Sequence, residues 1–221
     1  MIKVEHIEVW GWEHAIRGMR NPMNSWGKSD TVYGLGEDRY TDMVIGLNDL
    51  SLSLMQKLFK GGTEHRKYLR QIFVSLDITA PMYWWKEFDT YKVGTVANSC
   101  STMHKIQAKE FVMDDFSHEH LLGEVNNGSI VEDSPLGCLR KTVAMLNNCR
   151  DRYLENPNKL LWWQMIQLLP SSYNQRRTVT MSYENVFTIL RQREGHKLDE
   201  WNRLWEIFKG LPYVKEIGGI E

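Results

Sequence analysis

The pattern of apolar and polar residues at the start of the chain predicts a strand followed by a helix. Residues 1–10 alternate between the two types, which is typical of a strand with one buried face. In residues 11–21 the apolar side chains recur three or four positions apart, which favours a short helix. Turn-forming residues then crowd residues 21–38 and predict a long loop, which in a compact domain is usually functional or mobile.

A second helix and a second strand are expected next. The helix is predicted from Thr41 or Asp42 to Lys60, because apolar residues continue along one side and two glycines follow directly. The run Tyr68–Ile78 has the composition of a strand.

The middle of the chain combines a tryptophan-rich helix with a polar segment. Pro81 is a typical first residue of a helix, and we expect that helix to carry several aromatic residues and to end near Tyr91. Residues 92–105 are small and polar, which suits a ligand-binding loop better than a core.

The second half of the sequence is predicted to be mostly helical. Helix-starting and helix-ending residues predict helices over Leu136–Leu154, from Asn156-Pro157-Asn158 through Leu169, over 179–192 and over 197–210. The expected fold is therefore mixed α/β (α+β), with a central sheet flanked by helices and a helical C-terminal half. At 221 residues, one domain over 1–221 is the simplest organisation.

Composition and charge narrow the possible partners. The chain has 42% hydrophobic and 25% charged residues, as globular proteins do. Its 27 basic and 28 acidic side chains create no general field that attracts DNA, RNA or an anionic membrane. No stretch has the roughly 18 apolar residues of a membrane span, and the start lacks the features of a secretion signal. We therefore expect a soluble, cytoplasmic protein.

Three local signals are weak when each is compared with its simplest explanation. The triplet His118-Glu119-His120 has no third ligand nearby in the sequence, so we predict no metal site. Residues 34–39 imitate only half of a dinucleotide-binding loop. Cys100 lies between two serines, but no base can be assigned to it. The three cysteines are odd in number and widely spaced, so reduced thiols are expected.

A stronger signal is the order of several polar motifs along the chain. Glu64-His65 precedes a predicted strand, the aromatic segment Trp84–Lys92 and the small polar segment follow, and Arg191, Arg193 and His196 lie far downstream. This order resembles the flavin-dependent thymidylate synthases, the ThyX family, over most of the chain.

The family signature is Arg-His-Arg, two residues, Ser, one residue, Asn-Glu, one residue, Ser, one residue, Arg-Tyr. It falls here on Thr90-Tyr91-Lys92, Thr95, Ala97-Asn98, Cys100 and Thr102-Met103. Lys92 keeps a positive charge and Thr95 keeps a hydroxyl, whereas the other signature positions have changed type. The lost arginines matter because an arginine fork grips phosphate through two parallel hydrogen bonds.

The resemblance implies an α/β homotetramer with active sites at subunit interfaces, FAD bound between chains and dUMP as substrate. Such a methyltransferase of nucleotide biosynthesis takes its one-carbon unit from methylenetetrahydrofolate and its reducing power from NADPH. The implied cofactor-binding residues are Glu64, His65, Tyr91 and Lys92. The candidate substrate-binding residues are chosen for their hydrogen-bond donors and positive charge, and the polar segment and the downstream residues should converge if the fold is that of the family: Lys92, Thr95, Asn98, Ser99, Ser101, Arg191, Arg193 and His196. No catalytic residue can be named.

Three functions remain open from the sequence. The protein is a divergent flavoenzyme acting on a deoxyuridine nucleotide, or a nucleotide- or flavin-binding protein that has lost the reaction, or a structural oligomer that binds a partner. The simpler alternative to a binding site is that the polar segment is a solvent-exposed connection and that Arg191 and Arg193 lie on the outer face of a helix.

Overall fold

The computed structural model describes residues 2–35, 42–123, 125–126, 129–130 and 134–220. The helices are Trp12–Arg20 (α1), Asp49–Lys60 (α2), Met82–Phe88 (α3), Thr102–Lys105 (α4), Pro135–Glu155 (α5), Lys159–Leu168 (α6), Tyr183–Arg193 (α7), Asp199–Lys209 (α8) and Val214–Gly218 (α9). The strands are Lys3–Trp10 (β1), Val32–Leu35 (β2), Asp42–Gly46 (β3), Phe73–Pro81 (β4), Thr95–Ser99 (β5), Val125–Asn126 (β6), Ser129–Ile130 (β7) and Asn174–Ser182 (β8). The predicted mixed α/β class is confirmed.

Four strands form the main sheet in the order β1-β4-β8-β5. Strands β4 and β8 run antiparallel, because the Thr180 hydroxyl bonds the Ser75 hydroxyl at 3.1 Å while the Tyr183 N–H donates to the Ile72 carbonyl at 2.9 Å. Every second residue of β4 is buried, as expected for a strand with one face in the core. Two further antiparallel pairs, β2 with β3 and β6 with β7, form separate small sheets.

The chain divides into two compact units that alternate along the sequence. The first unit comprises Met1–Lys3, Ile78–Thr90 and Asn98–Arg177, and the second comprises Val4–Asp77, Tyr91–Ala97 and Thr178–Glu221. The organisation of the chain as one domain stays a prediction.

The first unit is built around the long helix α5 and its neighbour α6. Both helices begin at a side-chain cap: Ser134 accepts from the Gly137 N–H at 3.1 Å, and Asn158 accepts from the Leu161 N–H at 3.0 Å. Their inner faces join one apolar cluster, whose buried members are Ile106, Phe111, Phe116, Leu139, Val143, Leu146, Cys149 and Met165. The predicted boundaries of these helices are confirmed within one or two residues.

The second unit has an aromatic core. The Trp12 ring packs edge-on against Tyr183 and Tyr213, with centroid distances of 5.4 and 5.6 Å. Helix α8 buries Trp201 and Phe208 on one face, as its three- and four-residue spacing predicts. The predicted β1 and α1 are also confirmed.

Two predictions in the first half of the chain are wrong in part. Two short 3₁₀ helices and strand β2 occupy much of the predicted loop 21–38, and β3 replaces the predicted first turn of the second helix. Helix α2 begins only at Asp49, because the Asp30 carboxylate accepts hydrogen bonds from the Leu50 and Ser51 N–H groups and fixes its first turn there. Residues 36–39 of the half dinucleotide motif lie outside the described residues.

Three further boundaries differ from the prediction. A 3₁₀ helix occupies Arg66–Arg70, so strand β4 begins at Phe73 and not at Tyr68. The segment 179–182, predicted as helix, belongs to strand β8, where Val179 and Met181 are buried at alternate positions. The predicted loop 92–105 contains strand β5, whose N–H and C=O groups find partners in the sheet, and the single helical turn α4.

No helix in the part of the chain that the structure describes is long and apolar enough to cross a membrane. Within the same ranges, no group of three or more histidine, cysteine or acidic residues is arranged to hold a metal ion.

Candidate functional site

The second half of the signature lies around a cavity in the first unit. We call this the signature cavity; its volume is about 360 Å³. It is lined by polar residues from the segment after β5, from the turn before Phe116 and from the start of β8, with a few apolar side chains: Thr79, Cys100, Ser101, Thr102, Lys105, Ile106, Ala108, Lys109, Asp114, Asp115, Tyr173, Asn174, Gln175 and Arg176. Cavities of this size are typical of small-molecule sites.

Backbone pairing holds the signature segment against β8. The Cys100 N–H donates to the Arg176 carbonyl at 2.9 Å, and the buried Gln175 side chain donates to the Cys100 carbonyl at 2.9 Å. The Ser101 hydroxyl accepts from the His104 N–H at 3.1 Å and thereby caps α4. Because these bonds fix the backbone on both sides of Ser101, its hydroxyl has a defined position at the cavity.

The signature cavity is rich in charged groups of both signs. Lys105, Lys109 and Arg176 bring three positive charges, and Asp114 and Asp115 bring two negative charges. Lys109 is paired with the Asp115 carboxylate, which also accepts from the Val112 N–H at 3.0 Å. With Lys109 paired to Asp115, the remaining charges of Lys105, Arg176 and Asp114 give the described lining a net charge of +1.

The surroundings of one tyrosine at the cavity disfavour its ionised form. Burial raises the pKa of Tyr173, and electrostatic interactions with Asp115 and Cys100 act in the same direction. Its neutral hydroxyl can both donate and accept a hydrogen bond at the cavity.

The structure brings Tyr91 and two of the downstream residues together in the second unit. The Arg193 Nε donates to the Tyr91 hydroxyl at 2.8 Å, and an Arg193 terminal nitrogen lies 3.0 Å from the His196 Nε2. The guanidinium also lies 4.5 Å from the ring centroid of Trp201. We call these four residues the Tyr91–Arg193 cluster. Its arginine is held by the protein's own groups, including cation–π contact with aromatic faces.

Other predicted residues of the polar segment lie beside helix α7 or on strand β5. The Thr95 hydroxyl accepts from the Asn185 amide at 2.9 Å, and the same amide donates to the Val93 carbonyl at 2.8 Å. Lys92 is exposed, and its carbonyl accepts from the Thr95 N–H at 3.2 Å. Asn98 and Ser99 are exposed on β5. The roles predicted for these residues stay predictions.

The two candidate arginines of α7 occupy different surroundings. Arg191 is exposed and lines a separate cavity of about 440 Å³, together with Phe59, Phe187 and Trp205. Two positions along a helix turn the side chain by about 200°, so Arg191 and Arg193 point to nearly opposite sides. Only Arg193 lies with Tyr91 and His196.

The cofactor residues implied by the resemblance do not share one cavity. Glu64 and His65 line a cavity of about 610 Å³ in the second unit, whose other described lining residues include Lys67 and several apolar side chains but neither Tyr91 nor Lys92. The Tyr91 hydroxyl also donates to Gln192 at 3.0 Å, in addition to accepting from Arg193. These four residues therefore do not fit FAD as one set within a single chain.

Several residues at the signature cavity were missed by sequence reasoning. Lys109, Asn174, Gln175 and Arg176 reach it from the turn region and from β8. The alternation of residue types that follows the Arg176-Arg177 pair is the sequence signal that could have predicted strand β8. Its meeting with Cys100 depends on strand pairing across 76 positions, which no local pattern encodes.

Comparison with solved structures finds similar folds over nearly the whole chain. A flavin-dependent thymidylate synthase ThyX from Helicobacter pylori, complexed with FAD and dUMP, has a TM-score of 0.62 and 16% sequence identity, and the match covers 97% of this chain and 95% of that one. A second structure of the Helicobacter pylori ThyX with FAD and dUMP gives a TM-score of 0.63 at 15% identity, covering 97% and 94%.

A UMP/dUMP methylase, PolB from Streptomyces cacaoi, bound with 5-Br dUMP, is similar at a TM-score of 0.61 and 15% identity, covering 95% of this chain and 88% of that one. No protein-family model and no curated protein sequence matches the chain. The fold of this protein is therefore that of the flavin-dependent thymidylate synthases, as its sequence resemblance predicted.

Proposed function

We propose that the protein is a divergent thymidylate synthase-like enzyme that binds a pyrimidine nucleotide, dUMP, in the signature cavity. The observation that carries the proposal is the position of this cavity. It is lined by Cys100 and Thr102, which stand at signature positions of changed residue type, within a fold shared with proteins whose structures contain dUMP or its bromo derivative.

The chemistry of the cavity suits a nucleotide monophosphate. Lys105 and Arg176 offer positive charge to a phosphate, and an arginine donates two parallel hydrogen bonds to such a group. The Ser101 and Thr102 hydroxyls and the Asn174 amide offer the donors and acceptors that a uracil edge needs. The exposed Lys92 and the Thr95 hydroxyl are assigned to the nucleotide by the signature alone.

The redox part of a thymidylate synthase reaction is assigned to no residue here. FAD is implied by the fold, but Glu64, His65, Tyr91 and Lys92 do not form one site within a chain. We therefore derive no step through the flavin. Methylenetetrahydrofolate, NADPH, a homotetrameric assembly and a cytoplasmic location are parts of the same proposal and follow from the resemblance.

A second candidate function is nucleotide binding without turnover. Arg193 and Tyr91 bond to each other, and the signature keeps a positive charge only at Lys92. Both features favour a protein that has kept the pocket and lost the reaction. Turnover of dUMP to dTMP with reduced flavin and methylenetetrahydrofolate would support the first candidate, and binding without turnover would support the second.

The proposal is tested by titrating dUMP into the purified protein with calorimetry. We expect saturable binding of dUMP and weaker binding of dAMP, since a purine does not match the cavity's uracil contacts. Lys105→Ala is expected to weaken dUMP binding about ten-fold, because it removes a charged hydrogen-bond donor. Lys159→Ala, an exposed lysine of the same unit outside the cavity, is the matched control. Equal affinities in the two variants would contradict the proposal.

A further inference from the structure

Arg20 carries its positive charge inside the protein. Its side chain is only 3% exposed, and its terminal nitrogens donate to the Ser51 hydroxyl at 2.9 Å and to the Ser25 carbonyl at 3.5 Å. The Arg20 Nε has no hydrogen-bond partner. Among the residues that the structure describes, no carboxylate pairs with this guanidinium. Both of its partners are neutral oxygens.

A buried charge without a directly paired opposite charge is unfavourable. The Asp30 carboxylate is linked to Arg20 only through the Ser51 hydroxyl, which accepts from Arg20 and donates to Asp30. Arg20 lies in the last turn of α1, where the helix dipole adds a modest favourable interaction with a positive charge. Direct contact with the negatively charged group of a ligand would therefore be favourable for Arg20.

A small cavity gives such a charge a place to bind. It has a volume of about 210 Å³ and is lined by Glu13, Ile16, Arg17, Arg20, Trp26, Ser29 and Tyr33. Arg17 and Arg20 lie one turn apart on α1, so both point to the same side of the helix. An Arg17 terminal nitrogen lies 2.9 Å from the His14 Nδ1, which orients the side chain. The described lining residues include two arginines and one glutamate, so the cavity lining carries an excess positive charge.

The cavity also has an aromatic wall. Trp26 is half exposed, and its indole N–H donates to the Asn21 side-chain oxygen at 2.8 Å, which fixes the ring. Tyr33 of β2 supplies a second ring. Planar groups pack favourably on such faces.

We infer that this cavity binds a small aromatic anion, with its phosphate or carboxylate group against Arg17 and Arg20 and its ring against Trp26 or Tyr33. Guanidinium groups suit both oxyanions because their donors match the oxygen spacing. None of these residues lines the signature cavity, so the inference does not depend on the proposed nucleotide function.

The test is an NMR titration that follows the Trp26 indole N–H at constant ionic strength. The probes are phenyl phosphate, benzoate, inorganic phosphate and acetate. We expect a saturable shift, with each aromatic anion binding more tightly than its inorganic or aliphatic counterpart. The stronger of phenyl phosphate and benzoate identifies the preferred oxyanion.

Two variants localise the binding. Arg17→Gln removes an exposed guanidinium from the cavity and is expected to weaken binding about ten-fold. Arg152→Gln makes the same change at an exposed position of α5 and is expected to leave the dissociation constant unchanged. Melting temperatures close to that of the parent protein establish that both variants fold. The absence of a saturable shift with all four probes, or equal binding by the two variants, would overturn the inference.

Discussion

The Arg193 guanidinium donates a hydrogen bond to the Tyr91 hydroxyl at 2.8 Å, across 102 positions of the sequence. This bond joins Tyr91, the last residue of a 3₁₀ helix over Asp89–Tyr91, to the last turn of α7. The Trp201 ring supports the same guanidinium from α8 at 4.5 Å. The bond therefore contributes to the packing of the second unit, apart from any role in ligand binding.

The contribution of this bond to the stability of the protein is tested by the substitution Tyr91→Phe. Removing the hydroxyl leaves Arg193 and Gln192 without a shared partner and is expected to lower the free energy of unfolding by about 1 kcal/mol. Tyr153→Phe removes a hydroxyl from the edge of the first unit's apolar cluster and is the control, with a smaller expected effect. Urea denaturation compares the two variants, and equal losses of stability would show that the bond contributes nothing.

Lys92 holds one of the two signature positions whose chemistry is retained. Because its side chain is exposed, Lys92→Ala is expected to leave the fold intact. Loss of the positive charge is expected to weaken dUMP binding by roughly several-fold. Calorimetry measures the affinity and circular dichroism checks the fold, with the exposed Lys197→Ala as control. An unchanged affinity in folded Lys92→Ala protein removes this residue from the nucleotide site.

Asp30 is expected to make stability depend on pH. Burial alone would raise the pKa of Asp30, but hydrogen bonds from the Ser51 hydroxyl and from the Leu50 and Ser51 N–H groups outweigh it and hold the pKa below 3.8. A carboxylate with a lowered pKa stabilises the folded state fully above its unfolded pKa and loses this effect as the pH falls through its folded pKa.

The matching experiment compares the parent protein with Asp30→Asn from pH 3 to pH 7. The parent is expected to be more stable above about pH 4, with the difference shrinking below that value. Asp30→Ala, which also removes the acceptor for the first turn of α2, is expected to cost about 1 kcal/mol. A stability difference that does not change with pH would rule out the carboxylate's role at α2.

Gly11 is at a position where only glycine fits. Its φ is +92°, and an added Cβ would lie 2.0 Å from the Gln71 carbonyl oxygen. Gly11→Ala is therefore expected to cost about 2 kcal/mol or more. Gly62 has the same φ of +92° but open space around its Cβ position within the described part of the chain, so Gly62→Ala is expected to cost about 1 kcal/mol. Thermal unfolding measures the loss of stability in each variant, and the difference between them reports the steric contact at Gly11. Equal losses of stability would contradict the predicted steric contact.

The success of sequence reasoning depended on how local each signal was. Helices α5 and α6 were predicted because Ser134 and Asn158 mark their starts, and the spacing of apolar residues on α8 identified its buried face. Strand β8 was not predicted, and its last residues were included in the helix predicted over 179–192, although Val179 and Met181 are buried at alternate positions.

The candidate site was harder to predict from the sequence because its residues come together from distant parts of the chain. Ser101 was predicted as a donor of the small polar segment, whereas Arg176 reaches the cavity only because β8 pairs beside the segment at Cys100. Similarly, the sequence left Arg191 and Arg193 equivalent, and their different surroundings become visible only once α7 packs with its neighbours.

The most direct test of nucleotide binding in the signature cavity is a crystal of the protein soaked with 5-bromo-dUMP, in which the anomalous scattering of bromine locates the base. We expect one strong bromine peak inside the cavity lined by Cys100, Ser101 and Lys105. A bromine peak at another site, or no peak at a concentration that saturates the protein in solution, would contradict the proposed site.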